Sequence, residues 1–186
     1  MISRRAYLKA STLALVGLGT PLPLFSGQAT SKPLEIRMWG SLDGAKVGFD
    51  PIGLAIAPGQ TVRWVLDSSV HTTTAYHPKN GGHSLRIPEA AAPWDSGYLV
   101  NPGDPFELTL TVEGVYDYFC LPHEMAGMVG RIIVGQPTGP GSLPYDYFVN
   151  RPQGAKWLPV PAAAAAAFPA IAEIMEKKRV PFPPSG

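Results

Sequence analysis

Hydrophobic and polar residues alternate with a period of two along several segments between residues 32 and 135. The clearest example is residues 106–112, where glutamate and threonine separate the apolar positions. Alternation of this kind is typical of β-strands that bury one face. Six to eight short strands at this spacing predict an all-β fold, an antiparallel sandwich or barrel of about 100 residues. The predicted strands include residues 34–38, 52–56, 62–66, 106–112, 115–120 and 129–134.

The pattern changes after Gly135, where the chain becomes rich in proline and alanine. A Pro-Gly segment at residues 137–141 predicts a linker, and the alanine run at 162–167 favours a helix. Farther on, residues 171–175 place their apolar side chains on one helical face. We therefore expect residues 137–186 to form a C-terminal extension with a short helix, packed on the sandwich or, alternatively, docking a partner protein.

The first 29 residues have the three parts of an export signal. Arg4 and Arg5 make the start basic, a weakly hydrophobic run follows over about residues 10–25, and small residues lead to Ala29. The surroundings of the paired arginines resemble the twin-arginine signal of bacterial export. The apolar run is shorter than the roughly 20 residues that span a bilayer, which disfavours a membrane anchor. We expect residues 1–29 to be removed and the mature protein to be periplasmic, without stable membrane insertion.

Composition and charge narrow the classes of protein that remain. The 20 glycines and 21 prolines disfavour a helical bundle. The formal net charge is +1, and loss of residues 1–29 removes three basic residues and no acidic one, which leaves about −2 and disfavours nucleic-acid binding. The single cysteine, Cys120, excludes an intramolecular disulfide and a zinc site built from several thiolates. Because an exposed free thiol is a liability in an oxidising compartment, we expect the Cys120 sulfur to be bound to another group.

The lone cysteine lies in a short turn between two predicted strands, together with two other metal-binding side chains. His123 follows Cys120 by three residues, and Met128 follows five residues later. A thiolate, an imidazole and a weak thioether favour copper in a trigonal site with a long axial bond. Such a site needs a second imidazole, for which His71 is the candidate. A cysteine nucleophile with His123 as its base is the alternative, but no orienting Asn or Asp is evident.

Several separate motifs between residues 34 and 135 occur in the order found in one known family. The turn at Cys120 fits the pattern Cys-x-Pro-His-x-x-x-Gly-Met-x-Gly, which ends at Gly130. The other matching segments are residues 48–51, 58–64, 71, 94–97 and 102–103. By these motifs the chain resembles the plastocyanin/azurin family of type 1 (blue) copper proteins, the cupredoxins, and most of all the plastocyanin/pseudoazurin pattern.

The resemblance implies a Greek-key cupredoxin sandwich over residues 30–136 and one type 1 copper per chain. The implied ligands, three equatorial and one axial, are His71, Cys120, His123 and Met128. Met125 is the rival for the axial position, because some relatives have a shorter Cys-x-x-His-x-x-Met loop. The family often has asparagine directly after the first histidine ligand. This chain has Thr72 there, and its hydroxyl is the candidate substitute.

The function implied by the resemblance is that of an electron carrier and not an enzyme. The protein is expected to shuttle single electrons between periplasmic redox partners, such as a cytochrome or a copper or haem enzyme, through the exposed edge of His123. The apolar surface expected around that edge consists of Leu121, Pro122, Ala126 and Met128. Copper delivery or storage is one alternative. An accessory electron-transfer subunit of a larger oxidase or reductase is the other.

Two further histidines, His77 and His83, lie in a polar, glycine-rich loop. Histidines in such loops are usually solvated, which is what we expect here. A second metal site formed by the pair is the alternative.

Overall fold

Nine β-strands in two sheets form the framework of the described part of the chain. The computed structural model describes residues 32–43 and 45–182, so the expected export signal lies outside it. The strands are β1 (Leu34–Gly40), β2 (Val47–Asp50), β3 (Gly53–Ile56), β4 (Gln60–Leu66), β5 (Thr74–Ala75), β6 (Pro105–Leu110), β7 (Gly114–Phe119), β8 (Val129–Val134) and β9 (Arg179–Val180). The helices are α1 (Ala162–Ala167) and α2 (Ile171–Lys177), with short 3-10 helices at Leu121–Ala126, Pro140–Ser142 and Pro152–Gly154. No helix within the described ranges is long and apolar enough to cross a membrane.

The two sheets face each other as a sandwich. One sheet has the strand order β2-β1-β4-β6 and the other the order β5-β7-β8-β3-β9. Neighbouring strands are antiparallel except for two parallel pairs, β1 with β4 and β3 with β8. The all-β sandwich with a partly helical extension is thereby confirmed. The strand count exceeds the expected six to eight, partly because β5 and β9 have only two residues each and are too short to show a period of two.

The core between the sheets is built from the inward positions of the alternating strands. Val62, Trp64 and Leu66 of β4 are at most 1% exposed. Burying each such side chain contributes on the order of 1.5–3 kcal/mol. Tyr118 of β7 lies against β8 at Gly130, where any Cβ would collide with the tyrosine ring. The same buried cluster includes Cys120, so the core positions the thiol directly.

The C-terminal extension, described to residue 182, covers the outer face of the five-stranded sheet. β9 pairs with β3, and Ile174 of α2 packs in a buried cluster with Val115 and Ile133 of β7 and β8. Ala164 of α1 belongs to a second cluster with Phe119. Because the extension covers this face, every residue of β7 and β8 is buried.

Three buried charges tie the extension to this sheet. Asp117 of β7 accepts hydrogen bonds from Arg86 Nε at 2.9 Å and from Arg131 Nε at 2.7 Å. Arg86 also donates to the Gly141 carbonyl at 2.6 Å, and Arg131 donates to the Pro169 carbonyl at 2.9 Å. The two guanidinium groups therefore link the carboxylate on the sheet to the backbone of the extension.

Candidate metal centre

The turn between β7 and β8 carries three of the four predicted ligands, and we call its residues 120–128 the metal loop. Cys120 is the first residue after β7, and His123 lies in the 3-10 helix that follows. The Cys120 N–H donates to the Met128 carbonyl at 3.0 Å, and the Met128 N–H donates to the His123 carbonyl at 3.1 Å. Gly127 ends the helix with a φ of 79°, a conformation that favours glycine. Backbone hydrogen bonds therefore fix the positions of Cys120 and His123 relative to each other.

His71 reaches the same point from the connection between β4 and β5. Its Nδ1 lies 3.1 Å from His123 Nδ1, and Cys120 Sγ lies 3.5 Å and 3.4 Å from the two nitrogens. The point in the plane of the three atoms that is equidistant from them lies about 1.9 Å from each. This distance is close to the roughly 2.0–2.3 Å of metal bonds to imidazole and thiolate. Among the described residues this is the only group of three or more His, Cys, Asp or Glu side chains close enough to share an ion. The three predicted equatorial ligands thus converge.

Burial sets the charge of these three groups. His71 and Cys120 have no exposed surface, and His123 is partly exposed. Burial raises the pKa of the Cys120 thiol to about 11. Burial, helped by the neighbouring His123, lowers the pKa of His71 to about 4, and burial also lowers the pKa of His123. At neutral pH both imidazoles are therefore uncharged, so each has a ring nitrogen that can bind a metal. The thiol loses its proton when a metal cation binds.

The two methionines of the metal loop have opposite environments. The Met128 side chain is fully buried and belongs to the same core cluster as Cys120. Met125 is 75% exposed. The burial of Met128 in the core cluster that contains the thiol favours it over Met125 as the candidate axial ligand.

Thr72 contacts Cys120 and the residue after it. Its backbone N–H lies 3.3 Å from Cys120 Sγ, and its hydroxyl accepts a hydrogen bond from the Leu121 N–H at 2.8 Å. The hydroxyl also lies 2.9 Å from Thr74 Oγ1. The expectation that the Thr72 hydroxyl helps to hold the cysteine turn is confirmed. Contacts of this kind orient metal ligands and tune the metal.

Within the described residues, the other two histidines belong to no group of three or more His, Cys, Asp or Glu side chains close enough to share an ion. His77 accepts a hydrogen bond at Nδ1 from the Lys79 N–H at 3.1 Å. His83 is only 8% exposed, so the expectation that it is solvated is wrong. Its Nδ1 lies 2.6 Å from the Asn80 carbonyl oxygen, and its Nε2 lies 3.1 Å from Glu124 Oε2. His83 therefore contacts the metal loop through Glu124.

Glu124 is the residue near the site that sequence reasoning missed. A charged residue in a turn is normally exposed, yet the Glu124 carboxylate is hydrogen-bonded to both Tyr76 and His83. The sequence places His83 in a glycine-rich loop and Glu124 beside a predicted ligand, and neither position indicates that the two side chains meet. Their pairing follows only from the fold.

Comparison with known proteins agrees with this geometry. The family model for copper binding proteins of the plastocyanin/azurin family matches residues 37–135. The chain is 29% identical over 136 residues to a pseudoazurin from Methylorubrum extorquens, covering 73% of this chain and 80% of that protein. It is 33% identical over 129 residues to a plastocyanin from a Synechococcus species, covering 68% and 91%. The fold is similar to that of a pseudoazurin from a Sinorhizobium species, with a TM-score of 0.50, 26% identity and coverage of 78% and 98%.

The matched segment contains His71 and the whole metal loop, together with most of both sheets. The three converging donor atoms, two imidazole nitrogens and one sulfur, are of the type that suits copper. Fold, donor set and sequence likeness therefore agree. The chain belongs to the plastocyanin/azurin family of copper-binding proteins, and copper is its cofactor.

Proposed function

We propose that the protein is an electron carrier that holds one type 1 copper. The proposed ligands are His71, Cys120, His123 and Met128. The observation that carries the proposal is the triangle of two Nδ1 atoms and one Sγ, with sides of 3.1 to 3.5 Å. The likeness to proteins named pseudoazurin and plastocyanin supports it. Copper in this site supplies a one-electron couple between Cu(II) and Cu(I).

The contribution of the chain is to hold the ligands still. His71 exchanges two backbone hydrogen bonds with Leu99, at 3.3 and 2.9 Å, and Cys120 is bonded through its backbone to Met128. The ligand segments are thus fixed by the fold outside the donor atoms. Because the ligands need not move far when the charge of the site changes, the barrier to electron transfer is small.

The partly exposed ring of His123 is the proposed route for the electron. Leu121 and Met125 of the metal loop are 43% and 75% exposed, and Val70, next to His71, is 41% exposed. Met128 was expected in this surface, but it is fully buried and contributes nothing to it. These exposed apolar side chains suit a brief encounter with a redox protein, because such encounters use small contacts.

Two features disfavour the alternative functions. A copper-delivery protein needs ligands that an acceptor can reach, whereas Cys120 and His71 are wholly buried. An accessory subunit that docks through the apolar face of α2 needs that face to be free. Ile174 of α2 is instead fully buried against the sheet. A redox partner such as a cytochrome or a copper or haem enzyme therefore fits the metal loop better than the apolar face of α2.

We further propose that the protein works in the periplasm after export by the twin-arginine pathway. In this proposal residues 1–29 are the signal, residues 30–136 the copper domain, and residues 137–186 the extension. The basic and apolar pattern of the first 29 residues supports the signal. A lone thiol buried in a copper site also suits an oxidising compartment.

The test is the absorption and EPR spectra of the copper-loaded mature protein. We expect one copper per chain and an intense Cu(II)–thiolate band, together with single-electron exchange with a small haem protein. Cys120→Ser should lose the band and keep the β-sheet circular dichroism spectrum. A colourless protein that binds only Cu(I) and hands the ion to an acceptor would contradict the proposal.

A further inference from the structure

We propose that Glu124 is a positioning residue for the ligand His123, and that Tyr76 and His83 hold it in place. The inference rests on the proposed function, because it concerns the ligand through which electrons are proposed to pass. Glu124 directly follows His123 in the 3-10 helix of the metal loop. Fixing its carboxylate therefore restrains the turn that carries the ligand.

Both carboxylate oxygens of Glu124 have their own partner. The Tyr76 hydroxyl donates to Oε1 at 2.7 Å, and His83 Nε2 lies 3.1 Å from Oε2. The side chains of His83 and Glu124 are 11% and 13% exposed, and Tyr76 is wholly buried. An exposed glutamate samples many rotamers, whereas a carboxylate held at both oxygens in a buried site keeps one.

The position of His83 is itself fixed by contacts of its ring and of its neighbours in sequence. Its Nδ1 lies 2.6 Å from the Asn80 carbonyl oxygen, so each ring nitrogen faces an oxygen acceptor. The ring lies on Phe119, with 4.4 Å between the ring centroids. The two residues that flank His83 in sequence exchange backbone hydrogen bonds with Leu158 of the extension, at 2.7 and 3.0 Å. These contacts therefore fix the position of His83, which in turn contacts Glu124.

Tyr76 connects Glu124 to β7, the strand that ends immediately before Cys120. Its N–H donates to the Asp117 carbonyl of β7 at 3.0 Å. Its ring packs on Phe119, the residue before Cys120, with 4.5 Å between the ring centroids. The hydrogen bond from Tyr76 to Glu124 thus joins the strand that positions the thiol to the helix that positions the imidazole.

The extension closes the other end of the metal loop. A Cβ at Gly127 would lie 3.3 Å from both the Ala163 carbonyl oxygen and Ala167 Cβ of α1. α1 therefore lies close against the loop at Gly127, and the contacts of Glu124 hold the loop at a second place. Neither contact involves a donor atom of the metal site, so the chain itself sets the position of His123.

The first test is amide hydrogen exchange in the metal-free mature chain. It compares Tyr76→Phe, Glu124→Gln and Glu124→Ala with the control Tyr116→Phe, which also loses a buried tyrosine hydrogen bond, to the Val112 carbonyl at 2.6 Å. At the hydrogen-bonded amides of the metal loop we expect exchange to become about tenfold faster in Tyr76→Phe and faster still in Glu124→Ala. Glu124→Gln should lie between the wild type and Glu124→Ala, because an amide oxygen can still accept one of the two bonds. The control should leave these amides unchanged.

The second test uses the copper-loaded proteins. We expect the variants at Tyr76 and Glu124 to slow electron self-exchange and to change the copper EPR spectrum, and we expect Tyr116→Phe to do neither. A purely structural role for the cluster predicts reduced stability without either change. If Tyr76→Phe does not fold, the two variants at Glu124 decide the matter.

The outcomes separate this inference from the proposed function. A wild-type Cu(II)–thiolate band, with loop exchange and EPR spectra unaltered in the variants at Tyr76 and Glu124, overturns the positioning role and leaves the electron carrier standing. Absence of the band in the wild type overturns the electron carrier. The exchange rates of the metal-free chain then still show whether Glu124 holds the loop.

Discussion

The N–H of Thr72 donates a hydrogen bond to Cys120 Sγ at 3.3 Å. The hydroxyl of the same residue accepts a hydrogen bond from Leu121, the residue after the cysteine. Because Thr72 also follows His71, it joins the segments that carry two of the proposed ligands. Burial is the main influence on the pKa of Cys120 and raises it. The hydrogen bond from Thr72 to the sulfur acts in the opposite direction, because it favours the thiolate.

Replacing Thr72 with valine should weaken this link without changing the shape of the side chain. The Leu121 N–H would lose its acceptor, which costs about 1–3 kcal/mol in a buried place. We expect a lower free energy of unfolding in urea for the metal-free protein and a shifted Cu(II)–thiolate band in the loaded one. Thr72→Ser keeps the hydroxyl and should restore both. Equal behaviour of the valine and serine variants would show that the hydroxyl has no role.

Substitution of each methionine in the metal loop should distinguish the axial ligand. Leucine at position 128 keeps the buried volume and removes a weak sulfur donor. Since that donor stabilises Cu(II) more than Cu(I), we expect Met128→Leu to raise the reduction potential and alter the EPR spectrum, with copper retained. Met125→Leu is the matched control at a side chain that is 75% exposed. A spectrum that responds to Met125→Leu alone would reverse the assignment.

The alternation of apolar residues was enough to predict the sandwich, and the spacing of Cys120 and His123 was enough to predict the metal loop. The outer face of β7 was harder to predict. A period of two places Asp117 outward, which normally means solvent, but the extension covers that face. The flanking Val115 and Phe119 were the signal, because two large apolar side chains on an outer face indicate a cover. Which cation then neutralises the aspartate depends on Arg86 and Arg131 meeting in three dimensions.

Replacing Asp117 with asparagine should strongly destabilise the protein. The carboxylate has no exposed surface and faces two guanidinium groups whose side chains are 3% and 6% exposed. Loss of its charge leaves two buried cations without a counter-ion, and breaking a buried pair costs about 3–5 kcal/mol. The control is Asp67→Asn, which removes the exposed pair with Arg37 and should cost less than about 1 kcal/mol. Urea unfolding of the metal-free proteins measures both, and similar losses would mean that the buried cluster contributes little.

The pairing of His83 with Glu124 should make stability depend on pH in a defined direction. Burial acts to lower the pKa of His83, but hydrogen bonds to Glu124 and to the Asn80 carbonyl, together with the charge of Glu124, raise it above the usual 6.5. Tyr76, the other titratable group packed on the ring, is neutral here because burial raises its pKa.

A raised pKa in the folded state means that the charged form of His83 is stabilised by folding. This contribution is complete below the unfolded pKa and is lost as the pH rises through the folded value. We therefore expect the difference in unfolding free energy between the wild type and His83→Gln, measured in the metal-free chains, to be largest in mildly acidic solution. It should shrink as the pH rises above 6.5 and through the folded pKa of His83. Because the other three histidines are common to both chains, their titration cancels in the difference. A difference that grows with pH would show that His83 is held in its neutral form.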